Sequence, residues 1–150
     1  MMLLTVLIFA YVIRKSKESD IFWILSWPGT VVHELLHYVT GFVLFAQPTK
    51  ISVWPEPRET SGQTMGYVNF ANIQWYNALP TGLAPLLGVF VVLFIAGSIT
   101  KEFSLINVFW VWVMSSVLSQ VWPSRQDWKV AFTHIGGVAL YGGIVTMFLL

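Results

Sequence analysis

"TVVHELLHYVTGFVLF", Thr30 to Phe45, is an apolar stretch that carries two histidines and a glutamate. Membrane helices shed ionisable groups, because a Glu at the helix centre costs about 3 kcal/mol or more unless it is paired. Either this segment lies outside a membrane, or His33, Glu34 and His37 form something that offsets the cost. The rest of the chain decides between these.

Of 150 residues, 56% are hydrophobic and only 10% are charged. A soluble domain carries about 25% charged residues, so this chain cannot clothe a globule in polar side chains. Eight Trp, eleven Phe and five Tyr suit a molecule with two water–lipid boundaries, where amphipathic rings settle. The composition implies an integral, multi-pass membrane protein whose first partner is the lipid bilayer. A net charge of +1 speaks against nucleic acid as a partner. Without cysteine there is no thiolate metal site, which leaves His, Asp and Glu as ligands.

Five apolar segments follow one another. Met1 to Ile13 is short for a span, which needs about 20 residues. It lacks a basic start and a small-residue cleavage site, so it reads as a retained anchor. A polar linker, Arg14 to Asp20, follows. Ile21 to Ala46 is long enough to cross, but Pro28-Gly29 interrupts it, and the expectation is an interfacial lead-in followed by a helix capped at Thr30. In the polar stretch Gln47 to Ala78, "KISVW" and "TMGYVNF" flank the turn-rich "PEPRETSGQ", which predicts a β-hairpin with Pro55 and Pro57 ending its first strand. Leu79 to Ile99 is a third apolar span, opened by Pro80 and kinked by Pro85. Leu105 to Trp122 is a fourth, and Val130 to Leu150, after "PSRQDW", a fifth. The expected fold is membrane all-α, with about four to five transmembrane helices and a small hairpin after the helix that carries the histidines. Residues 1–150 form one unit, with 1–20 as anchor and linker and 47–78 as the hairpin loop. Basic residues are shared equally between the two sides, so charge does not fix the orientation.

"HELLH" fits H-E-x-x-H. Residues i and i+4 share a helix face about 6 Å apart, so His33 and His37 can reach one metal ion, while Glu34 is placed to take a proton from water. This is the pattern of a zinc hydrolase; a bland alternative is a polar cluster that glues helices together. Thr40 and Gly41 continue the histidine face and are small enough to admit another helix. Catalytic zinc takes three protein ligands, and the two further candidates in apolar surroundings are Asp127 and His134. They are seven residues apart and share a face if the last helix starts early enough. "SRQD" is also a capping box, in which Asp127 helps to start that helix; the two roles are compatible. His134 is a core histidine or a stabiliser of the oxyanion. Ser115, Ser116, Ser119 and Gln120 either line a wet path or bond between helices. Gly136, Ala139 and Gly143 share a face suited to close packing. Three histidines are too few for a membrane di-iron centre.

"HELLH" in an apolar helix, the polar hairpin after it, "TGLAPLLG" and "PSRQDW" together resemble the site-2 protease family of intramembrane zinc metalloproteases. The resemblance spans Thr30 to His134. It implies one Zn²⁺ held by His33, His37 and Asp127, with Glu34 as general base and a transmembrane protein as substrate. It also implies that the strand Gly66, Tyr67, Val68, Asn69 and Phe70 pairs with an unwound substrate. "GLAPLLG" departs from the family's Gly-Pro by an inserted Leu83-Ala84. Asp127 is followed by Trp128 where much of the family has Gly, and its Ser-x-x-Asp context matches shorter bacterial relatives, which implies a prokaryotic cell membrane. With no attached regulatory module, the expectation is a minimal catalytic core. The alternatives are a non-catalytic scaffold that holds client helices and a membrane protein that binds a divalent metal.

Overall fold

A computed structural model describes residues 2–15, 21–54, 56–57, 63–64, 66–99 and 104–149. Most of the linker (16–20) and most of the expected hairpin turn, including Pro55 and Arg58, lie outside them. The described chain is mainly helical. Helix α1 is Met2–Lys15, α2 is Ile21–Val43, and α3 (Ala78–Leu83), a 3₁₀ turn (Ala84–Leu87) and α4 (Gly88–Ser98) follow without a break. Then come α5 (Leu105–Gln120), α6 (Arg125–Ala131) and α7 (Ile135–Leu149). Among the described residues, one apolar helical run, Ala78–Ser98, is long enough by itself to cross a bilayer; the bent pair Leu105–Gln120 and Arg125–Ala131, at 58°, makes a second if it counts as one span. At 14 residues, α1 reaches only about 21 Å. Helix α2 has the length, at 23 residues, but its histidines, glutamate and proline lower its apolar character.

Contrary to the expected break, α2 runs straight through Pro28-Gly29, and Thr30 lies inside the helix instead of capping it. The reason sits on α5. The Gly29 N–H donates to Ser116 Oγ at 2.7 Å, and Leu25 O, its usual i−4 acceptor, accepts from Trp112 Nε1 at 3.0 Å. A neighbouring helix thus satisfies the backbone groups beside the proline, which is how apolar surroundings tolerate proline in a helix. The approach is close: a methyl group at Gly29 would lie 2.6 Å from the Ser116 carbonyl carbon.

The predicted hairpin forms, with shifted ends. Strand β1, Pro48–Ser52, pairs antiparallel with β4, Tyr67–Phe70, in the register Pro48↔Phe70, Lys50↔Asn69, Ile51↔Val68 and Ser52↔Tyr67. A bulge lies between Pro48 and Lys50. Pro57 does not end β1; it belongs to a separate short ladder of β2 (Glu56–Pro57) with β3 (Gln63–Thr64). Buried Asn77 fixes the hairpin's base. Its Nδ2 donates to Leu44 O at 3.2 Å and to Asn72 O at 3.0 Å, while Oδ1 accepts from Gln74 N at 2.7 Å.

Helix α5 is central: α1, α2 and α4 pack on it, and α3 packs on α6. The apolar core joins Val6, Val92, Met114 and Val117. Ser26, Thr30, Ser115, Ser116, Asn77 and Thr81 are buried as well. The large apolar side chains turn outward, among them Phe90, Phe94, Leu105 and Phe148. The expected last span is divided. Helix α6 stops at Ala131, where the Phe132 N–H bonds back to Trp128 O, and α7 begins at Ile135. The small-residue face of α7 does not close as expected: Gly143 has nothing within 4 Å, and α7 docks instead through Gly137 on the Trp75 backbone and Tyr141 Oη to Tyr76 O at 2.6 Å.

The α2–α5 crossing leads to a stability prediction. Gly29→Ala forces Cβ into the Ser116 backbone and costs about 1–3 kcal/mol, read as a lower unfolding midpoint in detergent. An unchanged midpoint would show that the crossing adjusts freely.

Candidate metal centre

His33 and His37 lie one turn apart on α2, with ring centroids 4.9 Å apart. Each ring is held through Nδ1 by a backbone carbonyl: His33 by Gln120 O and His37 by Thr81 O, both at 2.7 Å. A carbonyl only accepts, so each Nδ1 carries a proton, and in the neutral ring each Nε2 presents a lone pair. This is the orientation in which metal-binding histidines are held by their surroundings.

Both carbonyls can accept from the rings because the local sequence withholds the N–H that an α-helix would supply. Thr81 O would accept from residue 85 in an α-helix, and Pro85 has no N–H; Ala84 N reaches it only as a closing turn. Gln120 ends α5 and is followed by Pro123, while the Ser124 N–H is taken by Asp127 Oδ2 at 2.5 Å. Prolines thus make acceptors at both places.

Asp127 comes from α6. The capping box is present, with Asp127 N donating to Ser124 Oγ at 3.2 Å, so the cap reading holds. The same carboxylate also faces both histidines: Oδ2 is 3.3 Å from His33 Nε2, and Oδ1 is 3.1 Å from His37 Nε2. Capping fixes the side chain that meets the histidines. Helix α3 brings this wall close, because Gly82 lies against the α6 backbone; a Cβ there would be 2.6 Å from Asp127 O.

The three groups have ligand atoms within 4.8 Å of one another and could hold a metal ion. Two Nε2 lone pairs and a carboxylate facing one another repel unless positive charge lies between them. Protonating both rings would set two cations side by side, whereas one shared cation satisfies all three groups. His37 Nε2 marks the need: it is buried, and despite its nearness to Oδ1 it makes no hydrogen bond. Two imidazoles and a carboxylate, with their second nitrogens tied back, form a donor set that zinc accepts.

Glu34 is buried, 7% exposed, and lines the same cleft of about 880 Å³. Gly66, Tyr67, Val68, Asn69 and Phe70 form another of its walls, and Arg14, Trp122, Arg125 and Trp128 also line it. Ser119 and Gln120 line it too, whereas Ser116 bonds Gly29, and Ser115 Oγ donates within its own helix to Val111 O. At Gly41, where another helix is expected, the nearest neighbour is the Phe70 ring of β4. His134 is not brought to the triad. It sits in the break between α6 and α7, so it shares no helix face with Asp127, and it is not among the residues lining the cleft. The holding carbonyls of Thr81 and Gln120 escape a search by side-chain type, and Pro85 and Pro123 are the sequence signals that mark them.

Pro85→Ala gives Thr81 O a competing helical N–H. If the three groups hold a metal, its affinity, measured with zinc as the probe ion by competition with a chelating dye, should fall about tenfold or more; unchanged affinity would mean that the Thr81 carbonyl does not hold His37 for binding. No family model matches this chain, and no curated protein and no solved structure matches it in comparison.

Proposed function

We propose that this chain is a multi-pass intramembrane zinc metalloprotease that hydrolyses a peptide bond in or near a transmembrane segment of a membrane protein. The observation that carries the reading is the convergence of His33 Nε2, His37 Nε2 and the Asp127 carboxylate beside buried Glu34. The outward-facing Phe, Leu and Trp side chains support residence in a bilayer.

His33, His37 and Asp127 would hold one Zn²⁺. When bound, the ion would acidify a water and polarise the scissile carbonyl. The other steps belong to the chain. Glu34 takes the proton of the attacking water as its oxygen bonds to the carbonyl carbon. The C–N bond then breaks, and Glu34 hands that proton to the leaving nitrogen. The walls of β4 and α6 narrow the cleft around an extended segment, in keeping with Gly66 to Asn69 as a pairing strand. His37 and Glu34 are shielded from bulk solvent, which strengthens the polar interactions that orient the reactants.

The test is metal content and cleavage in detergent-purified protein. Wild type should carry about one zinc per chain, as expected for a single three-ligand site. Glu34→Gln should keep the zinc and lose cleavage by about 10²-fold or more, whereas Asp127→Asn should lose the zinc. A wild type without zinc after chelator-free preparation would sink the proposal and favour helix glue. Zinc without cleavage of any transmembrane peptide would favour the metal-binding scaffold.

A further inference from the structure

The hairpin touches the α2 site at one point that a side-chain inventory overlooks. Gly66, just before β4, lies against Glu34. A Cβ placed there would be 2.8 Å from Glu34 Cγ, 3.0 Å from Glu34 Oε1 and 2.9 Å from Ser52 O. The backbone of Gly66 is not in the left-handed region, so its conformation admits any residue. Space alone calls for glycine. On the far side, Ser52 is the last residue of β1 and is paired opposite Tyr67, so that carbonyl is held by the sheet. A side chain at 66 therefore has Glu34 as its yielding neighbour.

The geometry points to Gly66 as a positioning residue for Glu34: its missing side chain lets the hairpin close onto the glutamate and confine the carboxylate to one side of the metal-binding triad. The inference rests on the protease reading above. The closed contact couples two elements that the sequence separates by a long polar stretch. The hairpin base is fixed by Asn77, and Trp54 beyond β1 meets Trp27 of α2 with ring centroids 5.5 Å apart. Between these two anchors, Gly66 presses on Glu34. The three heavy atoms nearest to that Cβ belong to Glu34 and Ser52 and not to His33, His37 or Asp127. Metal binding and proton transfer should therefore respond differently to a change at position 66.

The experiment compares wild type, Gly66→Ala, Glu34→Asp and the double variant, all full-length in micelles, on a panel of quenched-fluorescent transmembrane peptides. Zinc per chain is measured alongside. The added methyl group must gain roughly 0.6 Å or more to reach ordinary contact, and displacement on that scale should lower kcat by about 10–10²-fold. KM should change less than about twofold and zinc content should not change, a split that general loss of structure does not produce. Glu34→Asp keeps a carbon at the Cγ position but draws the carboxylate oxygens back from the place of Oε1, so the loss in the double variant should differ by at least about threefold from the product of the two single losses, a coupling expected of touching residues. Unchanged kcat in Gly66→Ala, or additive losses in the double variant, would overturn the inference alone. Loss of zinc from Gly66→Ala would also overturn it, by showing that Gly66 supports the ligands. No cleavage by wild type of any peptide would overturn the protease reading and this inference with it.

Discussion

Two hydrogen bonds govern the arrangement of the site: His33 Nδ1 to Gln120 O and His37 Nδ1 to Thr81 O. They set the tautomer of both rings, but they also lock α2 to the end of α5 and to α3. A carbonyl near a helix end is a good acceptor because the helix itself supplies no N–H there. Pro85 extends that condition into a continuous apolar run, and Pro123 protects it after α5. Proline at these points chiefly creates acceptors and only secondarily bends the chain. The same principle operates at Pro28, where Ser116 and Trp112 of α5 take up the backbone groups beside it. The contacts that let α2 stay helical and the one that orients His33 therefore use the same neighbour, α5, while His37 is held by α3.

This has a bearing on how the interior is filled. Large apolar side chains point outward, while hydroxyls, an asparagine, a histidine and a glutamate are inside. With so small an apolar core, close backbone approach and the pairing of polar groups carry much of the association between helices. Gly29 on Ser116 and Gly82 on α6 supply the approach. The hydroxyls of Ser26, Ser115 and Ser119 are satisfied by carbonyls of their own helices.

The parts of this arrangement that depend on residue type and short spacing are legible in the sequence. His33 and His37 sit four apart in an apolar run, and Ser124-x-x-Asp127 announces a cap; both appear in the structure as read. The hairpin follows from two β-rich stretches around turn formers, and β1 pairs with β4. Features set by tertiary partners are not legible. Pro28 looks like a break because the rescuing groups are 87 residues away on α5. His134 looks as though it shares a face with Asp127 because nothing local reveals the stop at Ala131. The role of Gly66 is invisible for another reason: a glycine before a strand reads as a turn residue, and its neighbour Glu34 lies on another element. The expected four to five spans are the least legible part, since among the described residues only Ala78–Ser98 and the bent pair of α5 and α6 have the length and apolar character, while α1 is short and α2 carries polar groups.

The way α7 is attached has a consequence for the stability of the described chain. The helix is held near its start by Gly137 on the Trp75 backbone and by the Tyr141 hydroxyl, while Gly142 and Gly143 face open space. Releasing its outer turns breaks little that the rest of the molecule supplies. Such a segment opens as its own cooperative unit, with a free energy well below that of global unfolding. Amide protons along its last turns would then exchange with solvent, or report on lipid, long before those of α2 and α5. The molecule combines a tightly cross-bonded centre with a periphery whose order is set by whatever surrounds it.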